Sequence, residues 1–436
     1  MRTVLARLAA PAPVPVFAVA GAGAGAAEAL QNLRMDEGLQ LVDVPRHAAV
    51  LVLVGELTEP VAAAAAAAHD VLSHPRATVS WVLPGGVAAP LPDFPEAVTV
   101  EGESPVLAVR AVWHELLSGA RRSEPPLQPD EDPVPWRGVG PYGQGGSGMT
   151  GGVPYGRPLA NRADDRDGLA LDALPVTVGP LFSAFPDGLT ARVTFHGDVV
   201  ASVEIGDNPF AGTGGLEPSL FVRALHEQVL VRDVELARAV ALLRWAAEGV
   251  RLQGLGALGR RILALAAAPR PPAVTEVRRL QRRLAWAQVS GWHTRHIGLL
   301  SADVLRGLGA GPVARAAGIV EDARVDDPAY RELGFAPITH LVGDAAARWS
   351  QRLAEVEQAL ALADHAGDRR TGGIGVVESP RGRLEADGSP TDRLLPLLPE
   401  ILAGLEWGDA VTTLNSLDLD LREAASVQPL GAVQGQ

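Results

Sequence analysis

The sequence lacks two residue types entirely, because it contains no cysteine and no lysine. Without cysteine the chain can form no disulfide, and it can supply no thiolate to zinc or to an iron–sulfur cluster. Since lysine is absent, all 38 basic residues are arginine, and the 51 acidic residues bring the net charge to −13. A chain of that sign offers no broad phosphate-neutralising surface, so we expect no nucleic-acid partner.

Long apolar runs are also missing. A membrane-spanning helix needs about 20 consecutive apolar residues, and the alanine-rich run at 61–69 is short and only weakly hydrophobic. Prolines interrupt the N-terminal apolar stretch, which merges into a strand pattern, so we interpret it as mature cytoplasmic protein and not as a signal peptide. The 436 residues, 47% of them hydrophobic, suffice for two or three domains.

Residues 1–120 predict an α/β domain, because strand-like runs such as VPVFAVA (14–20) and AAVLVLVG (48–55) alternate with helix-like runs. This alternation is typical of a mostly parallel, flavodoxin-like sheet with helices on both faces. A glycine-rich turn, GAGAG at 21–25, joins the first strand to the first helix, as in phosphate-binding loops. Asp43 stands about where a ribose-binding carboxylate would lie, so a nucleotide-binding regulatory subunit is one alternative.

The rest of the chain changes character twice. Residues 121–172 are rich in proline, glycine and charge without periodicity, which predicts a linker or an extended wrapping segment. Residues 173–436 predict a mainly α domain with a small antiparallel sheet. Alternating runs there flank a hairpin turn at 196–198, and apolar residues recur at helical spacing over 217–366.

The segment VESPRGRLEADG places Glu378, Pro380, Arg381, Gly382 and Leu384 in the pattern E-x-P-R-G-x-L. This pattern resembles a signature of the quinone-reducing 49-kDa (D) subunit of complex I and of the large subunits of nickel–iron hydrogenases. The segments GPLFSAFPDGLTARVTF and SLDLDLREA, near the two ends of this half, resemble further parts of the same family. The resemblance implies the hydrogenase large-subunit fold for the C-terminal half.

The N-terminal half resembles the usual partner of that subunit. VDVPRHAAVLVLVGELTEP is similar to a segment of the B subunit of complex I and of hydrogenase small subunits, so the chain resembles a fusion of the two. The resemblance puts Ala22 and Gly25 at two cysteine positions of the proximal iron–sulfur cluster, and Glu103 near a third ligand position. It puts Phe182 where D subunits carry a quinone-contacting histidine. These degenerate positions imply that the chain holds no metal and no cofactor.

In the family that the chain resembles, Arg381 faces the cavity between the two subunits. We expect Arg381 to pair with a buried carboxylate such as Glu378, Asp418 or Glu423, with a solvated turn as the alternative. Asp418 and Asp420 alternate in an extended segment, which suits either an acid–base pair or a solvated face.

One histidine pair has the spacing of metal ligands. His293 and His296 lie three residues apart on a predicted helix, but no third ligand is evident, so we expect no metal there.

The resemblance implies a redox-inactive, peripheral scaffold or coupling subunit at the cytoplasmic face of a complex I-like, ion-translocating membrane assembly. Its expected partners are membrane subunits of the complex I or antiporter type and other peripheral subunits. A second alternative is a subunit, like those of NADH-quinone oxidoreductases or hydrogenases, that retains a quinone or small-molecule cavity.

Overall fold

The structure is a computed structural model. It describes residues 11–86, 92–130, 162–164, 170–212, 218–287, 289, 291 and 293–427. Most of the predicted linker, residues 131–161 and 165–169, lies outside the described residues.

The N-terminal part forms a parallel α/β unit. Its strands are β1 (Val14–Ala20), β2 (Leu39–Leu41), β3 (Val50–Val54), β4 (Ala77–Val82) and β5 (Val98–Glu101). Its helices are α1 (Ala24–Leu33), α2 (Glu59–Val71) and α3 (Val106–Ser118). The strands pair in the order β2-β1-β3-β4-β5, and every pair is parallel. This is the strand order of flavodoxin-like sheets, so the predicted parallel α/β region is confirmed.

The central strand of this sheet is buried on both faces. All five residues of β3, VLVLV, are buried, as expected for a strand with helices on both faces. Since parallel strands share a direction, the glycine-rich turn after β1 and the loops after β3, β4 and β5 all lie at the carboxyl end of the sheet.

Residues 121–130, which we call the strap, lie against this unit and are not a free linker. The buried Glu124 accepts hydrogen bonds from the backbone N–H and the hydroxyl of Thr78, at 2.8 and 2.7 Å. The His69 ring lies between two carboxylates, 3.1 Å from Glu124 and 2.9 Å from Asp70.

Asp70 completes the attachment of the strap. Its two carboxylate oxygens accept the backbone N–H groups of Leu127 and Gln128, both at 2.8 Å. Burial by itself raises the pKa of Asp70, but these hydrogen bonds and the contact with His69 outweigh it, so the pKa lies below its usual value. The ionised form of Asp70 therefore holds the strap in place.

A second, antiparallel sheet follows. Its strands β6 (Arg162–Asp164), β7 (Ala170–Val178), β8 (Ala191–His196) and β9 (Val199–Ile205) pair in chain order. The predicted hairpin at 196–198 joins β8 to β9 and is confirmed. β6 and the first residues of β7 fall within the predicted linker, so its C-terminal end is strand.

The helical part contains two long helices. Its helices are α4 (Leu220–Ala224), α5 (Val231–Leu252), α6 (Gly256–Ala266), α7 (Val274–Trp286), α8 (Ala302–Leu305), α9 (Gly311–Arg315), α10 (Pro328–Glu332) and α11 (Ala345–His365). The long helices α5 and α11 pack on each other, and α6 packs back along α5. The predicted mainly α region is therefore confirmed.

The C-terminal part is a hairpin followed by short helices. The elements are β10 (Val376–Ser379), β11 (Gly382–Glu385), α12 (Pro390–Leu394), α13 (Leu398–Leu402), α14 (Trp407–Leu417) and α15 (Leu421–Val427). The sequence RLLPLLPEILAGLEW predicts one helix, but a 3-10 turn at Leu395–Leu397 separates α12 from α13. Pro396 and Pro399 lack the N–H that a continuous helix needs.

One hydrophobic core crosses the boundary between the two halves. Phe17 and Leu51 of the parallel sheet belong to the same buried cluster as Phe185, Leu398 and Leu414 of the C-terminal half. The opposite face of the sheet packs separately on α1 and α3. The two halves therefore stabilise each other directly.

Candidate functional site

The turn between β10 and β11 carries Arg381 into the junction between the halves. Ser379 lies opposite Gly382 in the hairpin, so Pro380 and Arg381 form a tight turn. Gly382 has a φ of +137°, and an added Cβ would lie 2.2 Å from the carbonyl oxygen of Gly309. This close backbone approach fixes the turn and therefore the position of the Arg381 side chain.

Three carboxylates surround the Arg381 guanidinium. Its nitrogens lie 3.1 Å from Asp420, 3.6 Å from Asp418 and 3.7 Å from Glu423. Asp418 ends α14 in a left-handed conformation with a φ of 58°. The structure thus brings Arg381 together with two of its predicted partners and adds Asp420. We call these four residues the Arg381 cluster.

Burial, together with an excess of negative over positive charge, determines the pKa values of the carboxylates in the Arg381 cluster. Burial raises the pKa of Glu423 to about 7, with Arg381 lowering it in part and Asp420 raising it again. Burial also raises the pKa of Asp418, against the effect of Arg381. At Asp420 burial acts upward too, but Arg381 and backbone hydrogen bonds outweigh it and lower the pKa. Glu423 is therefore the group that takes up a proton near neutral pH.

Glu378 does not pair with Arg381, so that expectation is wrong. Its carboxylate is buried and lies 2.7 Å from Arg315. The neighbouring Ser379 donates its hydroxyl to Glu423 at 3.2 Å. Since successive residues of a strand point to opposite faces, Glu378 must face away from the Arg381 cluster.

The turn at 21–25, which we call the glycine turn, is held by Arg422 of α15. The guanidinium of Arg422 donates to the carbonyl oxygens of Gly21 at 2.7 Å and Ala20 at 3.1 Å. It also lies 3.1 Å from Asp187 of the C-terminal half. A single buried arginine therefore joins the end of β1 to two segments of the other half.

The residues at the glycine turn do not fit an iron–sulfur cluster. Ala22 packs into the shared core and is 6% exposed, while Gly25 lies in the first turn of α1. Neither residue has a donor side chain, and Glu103 is exposed in the loop after β5. One carboxylate cannot replace a set of thiolates, so no redox step is assigned to this turn.

Asp43, the predicted ribose ligand, is engaged by two arginines. It lies 2.8 Å from Arg251 of α5 and 4.0 Å from Arg34 of α1. The carboxylate therefore contributes to the contact between the halves, which does not support the nucleotide-binding alternative.

Phe182 lies in a group of aromatic rings. Its ring centroid is 5.3 Å from that of Phe185 and 6.2 Å from that of Trp407. The position predicted to have lost its histidine thus offers an apolar surface, which can donate no proton.

The histidine pair does not lie on a helix, contrary to the expectation. Helix α7 ends at Trp286, and His296 sits in a turn with a φ of 64°. The backbone N–H of His296 donates to Asp344 at 2.9 Å. Across the described part of the chain, no group of three or more potential ligand side chains could hold a metal ion.

The Arg381 cluster faces a cavity of about 350 Å³ at the junction. We call it the junction cavity. Helix α1 contributes Glu28 and Gln31 to its wall, and α5 contributes Arg244, which pairs with Glu28. A cavity of this size admits a small organic molecule. The arrangement can place such a molecule next to the proton on Glu423.

The sequence alone did not identify Arg315 and Arg422 as residues of the site. Arg315 lies 2.8 Å from Glu355 and 2.9 Å from Asp322, in addition to Glu378. One feature of the sequence indicates that Arg315 is buried. This arginine interrupts the run VARAAG, which otherwise consists of small apolar residues. An arginine in such a run predicts a buried ion pair, but it does not identify the partners.

One region of the chain, residues 274–387, is similar to a known protein family. Residues 274–387 match the family model described as "Respiratory-chain NADH dehydrogenase, 49 Kd subunit". The matched stretch begins at α7 and includes α11 and the turn that carries Arg381. The resemblance to D subunits that the motif predicts is therefore confirmed for this stretch.

Curated relatives agree with the family match. The D subunit of the NADH-quinone oxidoreductase of Desulfotalea psychrophila is 33% identical over 165 residues, which cover 30% of this chain and 44% of that protein. The D subunit of the F(420)H(2) dehydrogenase of Methanosarcina mazei is 32% identical over 105 residues, covering 23% of this chain and 26% of that protein. The chain thus spans less than half the length of these relatives.

Among solved structures, the membrane-bound sulfane sulfur reductase, an archaeal respiratory membrane complex, matches with a TM-score of 0.39 and 17% identity. The match covers 58% of this chain and 98% of that chain. Over the residues that the structure describes, no helix is both long and apolar enough to span a bilayer.

Proposed function

We propose that the chain is a redox-inactive, peripheral scaffold or coupling subunit of a complex I-like membrane assembly, bound at its cytoplasmic face. The similarity of residues 274–387 to the 49-kDa family supports the kind of assembly. The absence of cysteine and the donor-free side chains of Ala22 and Gly25 support the redox-inactive role. A parallel α/β half that shares its core with the other half supports a fusion of B-like and D-like subunits.

An exposed apolar patch carries the proposal that the chain docks on another subunit. Leu341 is 86% exposed, Leu299 63%, Val320 62% and Val342 54%. We call these four residues the docking patch. Large apolar side chains that cluster on a surface are typical of protein–protein contacts.

Backbone contacts bring the loops that carry the docking patch together. The N–H of Leu300 donates to Gly343 at 3.0 Å, and the N–H of Gly343 donates to Ala316 at 2.9 Å. The space beside Gly318 is filled by the Leu341 side chain. The three loops that carry the patch therefore touch, and all of them lie within the stretch similar to D subunits. The occupant we propose is a membrane-embedded subunit of the same assembly.

The test is co-purification of the tagged chain from native membranes in mild detergent, with partners identified by mass spectrometry. We expect a multi-span membrane protein similar to complex I or antiporter subunits, and we expect Leu341→Glu to lose it. Leu107→Glu changes an equally exposed leucine (82%) on α3, outside the patch, and is the matched control. Recovery of the chain without such a protein, or equal recovery with both variants, would contradict the proposal.

The junction cavity favours a second candidate, a subunit that still binds a quinone or another small molecule. The observation behind it is the proton-accepting Glu423 on the wall of that cavity. Titration with a soluble quinone analogue, followed by the tryptophan fluorescence of the chain, to which Trp245 in the same wall contributes, tests it. Saturable quenching that weakens in Glu423→Gln would favour this candidate, and quenching that is absent would remove it.

A further inference from the structure

A second cavity, of about 270 Å³, lies between the edge strand β2 and the pair of helices α5 and α6. We call it the arginine cleft. Its charged lining residues are Arg34, Arg244, Glu248, Arg251 and Arg260. Three of the four arginines pair with the carboxylates of Glu248, Asp43 and Glu28, which leaves one positive charge in excess at the cleft, in a chain whose net charge is −13.

Three of these arginines have hydrogen-bonding capacity to spare. Arg251 is already paired with both Glu248 and Asp43, at 2.6 and 2.8 Å. By contrast, the buried Nε atoms of Arg34 and Arg244 have no hydrogen-bond partner. Arg260 is exposed and makes no ion pair with any described residue.

Arg244 donates to the side-chain oxygens of Gln31 at 3.3 Å and Asn32 at 3.1 Å, so only its Nε lacks an acceptor. This residue is buried, with 8% of its surface exposed, and it pairs with the half-exposed Glu28. Burial lowers the pKa of Arg244, and the contact with Glu28 offsets this only in part. A buried cation with an incomplete set of acceptors favours an anion nearby.

The N-terminus of α6 points to the same ligand. This helix of 11 residues begins at Gly256, which lines the cleft, and it has neither a side-chain cap nor an acidic residue in its first turn. The position of an added Cβ on Gly256 meets nothing within 4 Å. The free N–H groups of an uncapped helix attract anions.

We propose that the arginine cleft binds a phosphate group, carried by a small soluble molecule such as a phosphate monoester. Guanidinium groups bind phosphate oxygens through paired N–H donors, and the unpaired Arg260 and the first N–H groups of α6 offer such donors at the cleft. This inference goes beyond the proposed scaffold role and does not rest on it.

The test is calorimetric titration of the full chain with inorganic phosphate and with glycerol 3-phosphate, against sodium chloride at equal ionic strength. We expect saturable binding that Arg260→Gln weakens about tenfold, since one charge-assisted contact is lost. Gly256→Asp should abolish binding, because it puts a carboxylate at the mouth of the cleft.

Two matched controls separate the cleft from general charge effects. Arg261→Gln removes the same charge from the next residue of α6, which is exposed but does not line the cleft. Gly408→Asp adds the same charge to an equally open glycine in the first turn of α14. We expect both controls to bind phosphate as the unmodified chain does.

A second arm distinguishes a soluble ligand from a lipid headgroup. Sedimentation with vesicles of phosphatidic acid in phosphatidylcholine measures binding to the same phosphate chemistry on a membrane. Binding of the soluble phosphates supports the proposal. Binding to vesicles alone, no binding in either arm, or equal binding by all four variants overturns it.

Discussion

Arginine makes the internal charged contacts of this chain. Arg315 and Arg422 each reach acceptors in separate segments of the chain, and Arg381 reaches three carboxylates that lie about 40 residues further along the sequence. A planar guanidinium with five donors can do this, whereas a compact ammonium group is less suited to it. Each of these residues therefore ties together elements that are distant in the sequence.

Arg381→Met should destabilise the protein strongly, because it leaves three carboxylates close together without their shared cation. Removing one partner from a buried ionic group costs about 3 kcal/mol or more. The free energy of unfolding from urea titration measures the effect.

Arg383→Met is the matched control for this prediction. Arg383 is two residues away, is half exposed and pairs with Glu385. An exposed pair contributes about 1 kcal/mol or less. Equal losses in the two variants would show that the Arg381 cluster is not a buried ionic site.

Glu423→Gln should remove a pH dependence of stability. The folded-state pKa of Glu423, about 7, lies above its ordinary value of 4.5. Between these values the folded state binds more protons than the unfolded state, so stability falls as pH rises from about 5 to 8. The fall attributable to this group is on the order of 2 kcal/mol.

Urea titrations at several pH values test this prediction. The glutamine variant cannot titrate at position 423, so its stability should change less over the same range. Glu227→Gln, at an exposed glutamate of the helical part, should keep the pH dependence of the unmodified chain. A variant at Glu423 with an unchanged pH profile would assign the titration to another group.

The Arg381 site could be predicted from the sequence only in part. The E-x-P-R-G-x-L motif identified Arg381, and the carboxylates that follow α14 identified two of its partners. Glu378 was wrongly predicted as a partner of Arg381, because the order of residues in the motif does not show on which face of β10 each side chain lies. Arg422 could not be predicted, since its acceptors are backbone carbonyls about 400 residues away, at Ala20 and Gly21.

At the scale of elements, the strap shows how a segment without periodicity acquires a fixed position. Its sequence carries neither a strand nor a helix pattern, so the sequence predicts a linker or an extended wrapping segment. Its place is determined by the side chains of another segment, chiefly Asp70 and His69. The parallel strands were easier to predict, because their continuous apolar runs reflect burial on both faces.

Asp70→Ala should release the strap. The N–H groups of Leu127 and Gln128 lose their acceptor, so their hydrogen exchange should become at least tenfold faster, which corresponds to about 1.4 kcal/mol of local stability. Hydrogen-exchange mass spectrometry of peptides over 121–130 measures this. Asp93→Ala, at an exposed aspartate of the same unit, should leave exchange in the strap unchanged.

At the scale of the whole molecule, the shared core makes the two halves one cooperative unit. Phe17 and Leu51 lose part of their apolar surroundings if the C-terminal half is removed. Each fully buried side chain of this size contributes about 1.5–3 kcal/mol. The N-terminal half alone therefore exposes an apolar sheet face.

We expect a single unfolding transition for the full chain, whether it is followed by circular dichroism or by tryptophan fluorescence. Expressed alone, residues 1–130 should bind a hydrophobic dye and aggregate. Co-expressed as separate chains, residues 1–140 and 141–436 should assemble into a complex. Two separate transitions, or a stable and monomeric N-terminal half, would contradict a shared core.

The adjacent positions of Arg422 and Glu423 on α15 have a further consequence. One side chain holds the glycine turn of the N-terminal half, and the next belongs to the Arg381 cluster. A molecule or protein that displaces α15 from the glycine turn must also change the surroundings of Glu423, and with them its affinity for a proton. Thermodynamic reciprocity then requires that proton uptake change the affinity for that molecule by the same factor. This short helix can therefore couple an event at the carboxyl end of the parallel sheet to the protonation state of the junction cavity without any redox centre.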